Sequence, residues 1–119
     1  MKYDWLEAYC ESKQGAVREY KAEWEALRFL ICGKMFVLWG TDSQARPVIT
    51  LKCEPTHGQM LRDAYPDIIP GYYMNKQHWN SVLLQGDVPA DVLRQMVDES
   101  YALVLGGLSK KLQKEIAEG

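Results

Sequence analysis

The feature that most constrains the fold is a series of short strand-like segments crowded into residues 16–53. Leu27–Cys32 and Met35–Trp39 are compact apolar runs with the length and composition that strands favour. Gly33 and Lys34 stand between them. Two apolar runs around a glycine-containing pair indicate a β-hairpin, with Lys34 at its turn.

The segments on either side extend this pattern. Residues 16–24 alternate imperfectly between apolar and polar side chains, which fits an edge strand whose charges discourage pairing with other chains. A polar hairpin loop over residues 40–47 leads into another strand, Val48–Cys53. The alternation within that strand places Lys52 on the opposite side of the sheet from Leu51.

Helical patterns surround the strand cluster. Residues 3–12 carry an apolar stripe, and residues 89–105 repeat apolar side chains at a spacing of 3.6 residues until a glycine pair ends the helix. A short terminal helix is expected to begin at Ser109. The fold class predicted from this order is α+β, a two-layer sandwich in which helices pack on one face of an antiparallel sheet and the other face is open to solvent.

A further helix and strand lie between the strand cluster and residue 89. The helix is expected to begin at Thr56, acting as N-cap, and to stop before Pro66. Its apolar side chains, Met60 among them, are expected to point inward and Arg62 outward. His78–Leu84 then has the pattern of a strand.

Size and charge narrow the functional classes. The 119 residues suit a single domain spanning 1–119, and 47% of them are apolar and 25% charged. The chain shows no apolar run long enough for a bilayer and no signal-peptide pattern at its start, so we expect a cytoplasmic protein without a membrane partner. The net charge of −2 is not that of a strongly basic nucleic-acid binder, but residues 31–86 carry five basic and four acidic side chains.

Motifs for catalysis, metals and cofactors are missing. Cys10, Cys32 and Cys53 are an odd number without a Cys-x-x-Cys pair, which argues against disulfides and a zinc site and favours small core residues. With two histidines a multi-histidine metal centre is excluded. No phosphate-binding glycine loop and no nucleophile–base pair is found, so we expect no cofactor, and enzymatic activity has no supporting pattern.

The most distinctive stretch is residues 66–82, where prolines and a glycine introduce a dense mixture of polar and aromatic side chains. Such mixtures are typical of binding surfaces, although the aromatic rings of a buried loop give the same pattern. Cations that contact phosphates beside rings and amides that contact bases suggest a nucleic-acid site. The alternative is that these cations pair with Glu54, Asp63 and Asp67. The candidate contact residues are Lys34, Lys52, Arg62, Tyr73, Asn75, Lys76, His78, Trp79 and Asn80.

Several segments together resemble the MmcQ/YjbR family of small bacterial proteins, over nearly the whole chain. They are Ser12–Ala16, Gly33–Phe36, Thr50–Cys53, Leu61-Arg62, Pro70–Lys76, His78–Val82 and Ser100-Tyr101. Gln14 departs from the proline expected at its position. The resemblance implies a CyaY-like sandwich and a double-wing DNA-binding role, in which paired hairpins and the open sheet face meet the duplex. It also implies that the family's shared polar positions fall on Lys34, Lys52, Arg62, Asn75, Lys76, His78 and Asn80.

Two functions of different class follow. The first is a DNA-binding protein that uses a basic and aromatic face. The alternative is a small-ligand-binding or unrecognised enzymatic domain that uses the Tyr72–Asn80 loop, which would require a concave cavity beneath that loop. The acidic row Asp4, Glu7 and Glu11 on the first helix is expected to be a solvated face. A protein-binding module is a further possibility, and a monomer is the expected state in each case.

Overall fold

A computed structural model describes residues 2–71 and 74–119 of the chain. Its helices are α1 Leu6–Glu11, α2 Pro55–Ala64, α3 Ala90–Gly106 and α4 Lys110–Glu118, with a 3-10 turn at Ala22–Trp24. Its strands are β1 Val17–Lys21, β2 Ala26–Ile31, β3 Lys34–Thr41, β4 Pro47–Lys52, β5 Ile68–Pro70 and β6 Trp79–Leu83. None of the helices in this part of the chain has the length and apolar character needed to cross a bilayer.

The six strands form one antiparallel sheet in the order β1-β2-β3-β4-β6-β5. The first four strands follow one another as a meander, and β6 then inserts between β4 and β5. The long helix α3 packs across β3 and β4. This architecture confirms the predicted α+β sandwich and its antiparallel sheet. The short edge strand β5 was not expected, because its residues were assigned to a loop.

The core lies between the sheet and the helices and is built by the alternation of side chains along the strands. Phe29, Val37 and Leu51 lie side by side on neighbouring strands, and all three are buried. A β-bulge in β3 adds Phe36 to the same side, so two successive residues of that strand enter the core. Ser100 of α3 donates a hydrogen bond of 2.6 Å to the Phe36 carbonyl, which fixes the helix to the bulge.

The β2–β3 turn differs from the prediction in its position. The two turn residues are Cys32 and Gly33, with φ of 48° and 76°, and Lys34 is the first residue of β3. Positive φ at both positions matches the twist of a two-residue hairpin. Cys32 is therefore exposed, which corrects the expectation that all three cysteines are core residues. Cys10 and Cys53 are buried as expected.

The start of α2 also differs from the prediction. The N-cap is Glu54, whose carboxylate accepts hydrogen bonds from the backbone N–H groups of Thr56 and His57, and Pro55 occupies the first turn. The predicted inward face is wrong for Met60, which is 62% exposed, whereas Arg62 is half-buried. The helix crosses the edge of the sheet at β5 and β6, so the residues that reach inward are those facing this edge rather than its most apolar ones.

The later helices follow the prediction. α3 ends at Gly106, and Ser109 accepts a hydrogen bond of 3.2 Å from the Leu112 N–H at the start of α4.

The sheet face away from α3, called here the open face, was expected to be open to solvent, but part of it is covered. Thr50 and Ser81 lie on this face, 1% and 0% exposed, with their hydroxyl oxygens 2.7 Å apart. The 3-10 turn and the loop that contains Met74 stand on either side of it.

Candidate functional site

Three of the predicted contact lysines lie at one end of the sheet. Strand pairing places the end of β4, with Lys52, beside the beginning of β6, with Trp79, and the Ile31–Lys34 pair closes the β2–β3 hairpin at the same end. Lys76 belongs to the loop that joins β5 to β6, and this loop also begins and ends there, because Gly71 N–H donates a hydrogen bond of 2.8 Å to the Trp79 carbonyl. We call Lys34, Lys52 and Lys76 the lysine end.

The three lysines do not share one face. The register places Lys52 on the open face, while Lys34 pairs with the core residue Ile31 and so leaves the strand on the helix side. Both Lys34 and Lys76 are exposed and Lys52 is half-buried. The three lysines therefore share one end of the sheet, beside the β2–β3 hairpin tip. They do not share the single sheet face that the sequence suggested.

The lysine end differs in its electrostatics from most of the other basic residues. Among the described residues, eight of the 14 basic side chains form ion pairs, as Lys2 does with Asp87, and Arg62, Lys110 and Lys111 are unpaired like the lysine end. Within residues 2–71 and 74–119, Lys34, Lys52 and Lys76 make no such pair with any carboxylate. An unpaired lysine at the surface keeps its charge available to an anionic partner.

The carboxylates that could have neutralised these lysines have other hydrogen-bond partners. Asp63 accepts a hydrogen bond from Gln59, Asp67 accepts one from the Asp87 N–H, and Glu54 caps α2. Backbone donors from His57 and Thr56 lower the pKa of Glu54, so it is ionised and engaged at neutral pH.

Arg62 and Asn80 lie near this end, on the sheet face opposite to Lys52. Arg62 donates hydrogen bonds of 2.5 Å to Asn80 Oδ1 and 2.7 Å to Gln59 Oε1. Asn80 is fully buried and donates a second bond of 3.1 Å to the Gly58 carbonyl. Both polar atoms of the Asn80 amide are thus used within the chain. This pair anchors α2 to β6 and does not reach the surface that holds Lys52.

The loop residues lie beside the lysine end. Asn75 and His78 are exposed, and Asn75 Oδ1 accepts a hydrogen bond of 2.9 Å from the Gln77 N–H, which orders a tight turn in the loop. The His78 carbonyl accepts a bond of 2.8 Å from the Cys53 N–H and extends the β4–β6 pairing by one step. Trp79 is half-buried. The predicted contact residue Tyr73, with Tyr72 next to it, lies outside the described residues.

A groove of about 450 Å³ crosses the open face between the 3-10 turn and the loop. The described residues that line it are Glu23, Trp24, Ala26, Leu38, Gly40, Thr41, Val48, Thr50 and Met74. It is a concave site adjoining the loop, as the small-ligand alternative required. Among the described residues of the Tyr72–Asn80 loop that the alternative named, Met74 alone lines the groove.

The two buried cysteine thiols are not activated. Burial raises the pKa of the Cys10 thiol to about 12 and also raises the pKa of the Cys53 thiol, so neither is an activated nucleophile. No group of three His, Cys, Asp or Glu side chains is arranged to hold a metal ion in the part of the chain described. In the acidic row of α1, Glu7 accepts a hydrogen bond of 2.7 Å from Arg18.

The sequence relationship of this fold is clear. The YjbR family model matches residues 11–103, which include all six strands and most of α3. The chain belongs to the YjbR family. A YjbR relative from Escherichia coli strain K12 is 28% identical over 110 residues, which are 92% of each chain. Another relative, YbdF of Escherichia coli O157:H7, is 38% identical over 91 residues, 76% of this chain and 74% of its own length. Both are described as uncharacterised proteins.

Two solved structures have the same fold as this chain. Protein DR2400 of Deinococcus radiodurans, described with a DUF419 domain, matches with a TM-score of 0.82 and 33% identity over 94% of this chain and 85% of its own. A Pseudomonas syringae protein matches with a TM-score of 0.74 and 26% identity over 87% and 99% of the two chains. The YjbR assignment therefore gives the shape of the molecule, while function has to be argued from its surface.

Sequence reasoning missed the groove. Its outer wall is Trp24, which was read as part of an edge strand. A signal was present, since the indole stands between Glu23 and Glu25, and a large apolar side chain between two charges is poorly suited to a core strand. Glu25 has a φ of 49°, which ends the 3-10 turn and directs the chain into β2.

Proposed function

We propose that this YjbR-family protein binds DNA through the lysine end of its sheet. The observation that carries the proposal is the position of three lysines at one end of the sheet, none with an ion pair among the described residues, where eight of the 14 basic side chains are paired. Ammonium groups at one end of a sheet, without ion pairs to compete, can contact phosphates of a nucleic-acid backbone.

The neighbouring residues suit the same partner. The hairpin tip at Cys32-Gly33 and the loop with Asn75 and Lys76 project beside the end of the open face. Two projections with a cationic floor between them can straddle a duplex backbone, and exposed Asn75 and His78 side chains can donate hydrogen bonds to phosphates or base edges. Arg62 and Asn80 have no part in this interface because each is engaged with the other.

The test is the anisotropy of a labelled duplex measured against salt concentration. Contact with three phosphates predicts a slope of log affinity against log salt of about −3, because each neutralised phosphate contributes about −0.9. Replacing Lys34, Lys52 or Lys76 with alanine should each weaken binding for every duplex sequence and reduce the slope by about 1.

Lys2→Gln is the matched control, because it removes the same charge at the opposite end of the sheet, where Lys2 contacts Gly86 and Asp87. It should leave the slope unchanged. Binding that does not respond to salt, or that Lys2→Gln weakens as much as Lys76→Ala does, would reject the proposal.

A further inference from the structure

We propose that the groove on the open face is a binding site for a small molecule with a flat aromatic body and one anionic group. The groove lies beside the proposed DNA contact and not within it. Lys52, a proposed DNA contact, is the residue that the anionic group of the ligand would approach. The groove volume of about 450 Å³ lies in the range of small-molecule sites, which is roughly 300–1,000 Å³.

The floor of the groove is kept low by small side chains. Strand pairing places Gly40 opposite Val48, and a Cβ added at Gly40 would lie 3.3 Å from Ala26 Cβ on the next strand. This row of small residues runs across three strands, while Leu38 and Thr50 continue the floor toward the lysine end. The surface is mainly apolar and recessed, so burying a ring there displaces water from apolar area.

The outer wall is an aromatic ring held in a fixed orientation. Trp24 is 54% exposed, and the Lys21 ammonium and the Arg28 guanidinium each lie 5.3 Å from its ring centroid. These cation–π contacts restrict the rotation of the indole in the free protein. A ligand that binds there therefore loses less free energy to the ordering of this side chain. An indole that lines a recess and remains half exposed can stack with a flat ring placed beside it.

Charge gives the site a direction. At the Trp24 wall, Lys21 is paired with Glu23 and Arg28 with Glu19, so the charges at that side are balanced. At the other side Lys52 stands on the same face two residues beyond Thr50, about 7 Å along the strand. Lys76 follows Met74 by two residues in the loop. Neither lysine has an ion pair within the described residues, so a ligand anion pointing toward the lysine end meets available positive charge.

The experiment uses two fluorescent probes with the same rings, 8-anilinonaphthalene-1-sulfonate and its uncharged analogue N-phenyl-1-naphthylamine, titrated into the folded protein. We expect saturable binding of both at one site, with the sulfonate tighter. Lys52→Ala should weaken the sulfonate about two- to five-fold and leave the neutral probe unchanged, because an exposed charge contact contributes modestly.

Two further variants address the groove itself. Leu38→Trp fills the floor and should weaken both probes more than ten-fold, and Trp24→Ala removes the wall and should also weaken both. Met60→Trp adds the same side chain on the exposed surface of α2 and should change neither affinity. Circular dichroism shows whether Leu38→Trp is folded. If it is not, the Trp24→Ala variant tests the groove, because Trp24 is exposed and its replacement should not disturb the core.

The proposal fails if the wild-type protein gives no saturable binding, or if Trp24→Ala and a folded Leu38→Trp bind both probes as well as the wild type does. Its failure is distinguishable from failure of the DNA proposal. Duplex binding depends on Lys34 and Lys76 and not on Leu38, so Leu38→Trp should lose the probes and keep the duplex.

Discussion

At the level of single residues, the structure separates polar side chains that hold the fold from those available to a partner. Asn80 and Asn75 are five residues apart in a segment that looks uniformly suited to binding, yet one is fully buried and the other exposed. Composition could not distinguish them, because burial depends on where β6 pairs. The position of Asn80 opposite Leu51 in the sheet turns its amide toward α2.

Asn80→Ala should lower the free energy of unfolding by about 1–3 kcal/mol. The substitution leaves the Gly58 carbonyl and the Arg62 guanidinium without their partner in a buried setting. Urea unfolding followed by tryptophan fluorescence measures the change. Asn75→Ala is the control and should alter stability by less than about 0.5 kcal/mol. An Asn80→Ala protein that keeps its stability but loses DNA affinity would show instead that Asn80 is a contact residue.

At the level of elements, the long strands and helices could be predicted from sequence, whereas the short strand β5 and the bulge in β3 could not. The strands β2, β3 and β4 and the helix α3 were predicted because each repeats apolar side chains over several residues, and α4 was predicted from its N-cap residue Ser109. β5 has three residues, one of them a proline, so turn signals outweighed its strand pattern. The bulge at Phe36 arises from packing under α3 and has no counterpart in the local pattern.

The cap of α2 leads to a prediction about pH. Glu54→Gln should destabilise the protein at neutral pH, because a neutral amide is a weaker acceptor for the Thr56 and His57 N–H groups at the positive end of a helix. The pKa of Glu54 is lower in the folded than in the unfolded chain, so its contribution is complete above the unfolded pKa and is lost as pH falls through the folded pKa.

Urea unfolding of the wild type and of Glu54→Gln from pH 7 down to acid conditions measures this contribution. The difference between the two proteins should shrink as the carboxyl becomes protonated. A difference that stays constant over the whole range would show that the negative charge of Glu54 does not stabilise the helix.

At the level of the whole molecule, the candidate site depends on contacts between segments distant in sequence. Lys34, Lys52 and Lys76 lie at one end of the sheet because β3, β4 and β6 pair in one register, which neither the residue pattern nor the family resemblance specified. Arg62, also predicted as a contact residue, donates a hydrogen bond to Asn80 and is left out of the proposed interface. The groove was missed because it is made by residues from three strands and two connections.

The acidic balance of the molecule leads to a second electrostatic prediction. Asp4→Asn with Glu11→Gln changes the net charge from −2 to zero at exposed positions around α1, on the helix side. Duplex affinity should rise about two-fold at 20 mM salt, because long-range repulsion of the phosphates decreases. The gain should disappear near 0.2 M salt, where the Debye length is well below 10 Å. A gain that persists there would indicate that α1 contacts the DNA directly.

The insertion of β6 and the late position of α3 have a consequence for biosynthesis. The meander β1–β4 can pair while the following residues are still being translated, because all of its partners are neighbours in the chain. Its apolar side acquires its cover only when Ala90–Gly106 has left the ribosome exit tunnel. Until then the nascent sheet presents Phe29, Val37 and Ile49 to solvent, and we expect that interval to be when a chaperone that binds apolar surface engages this chain.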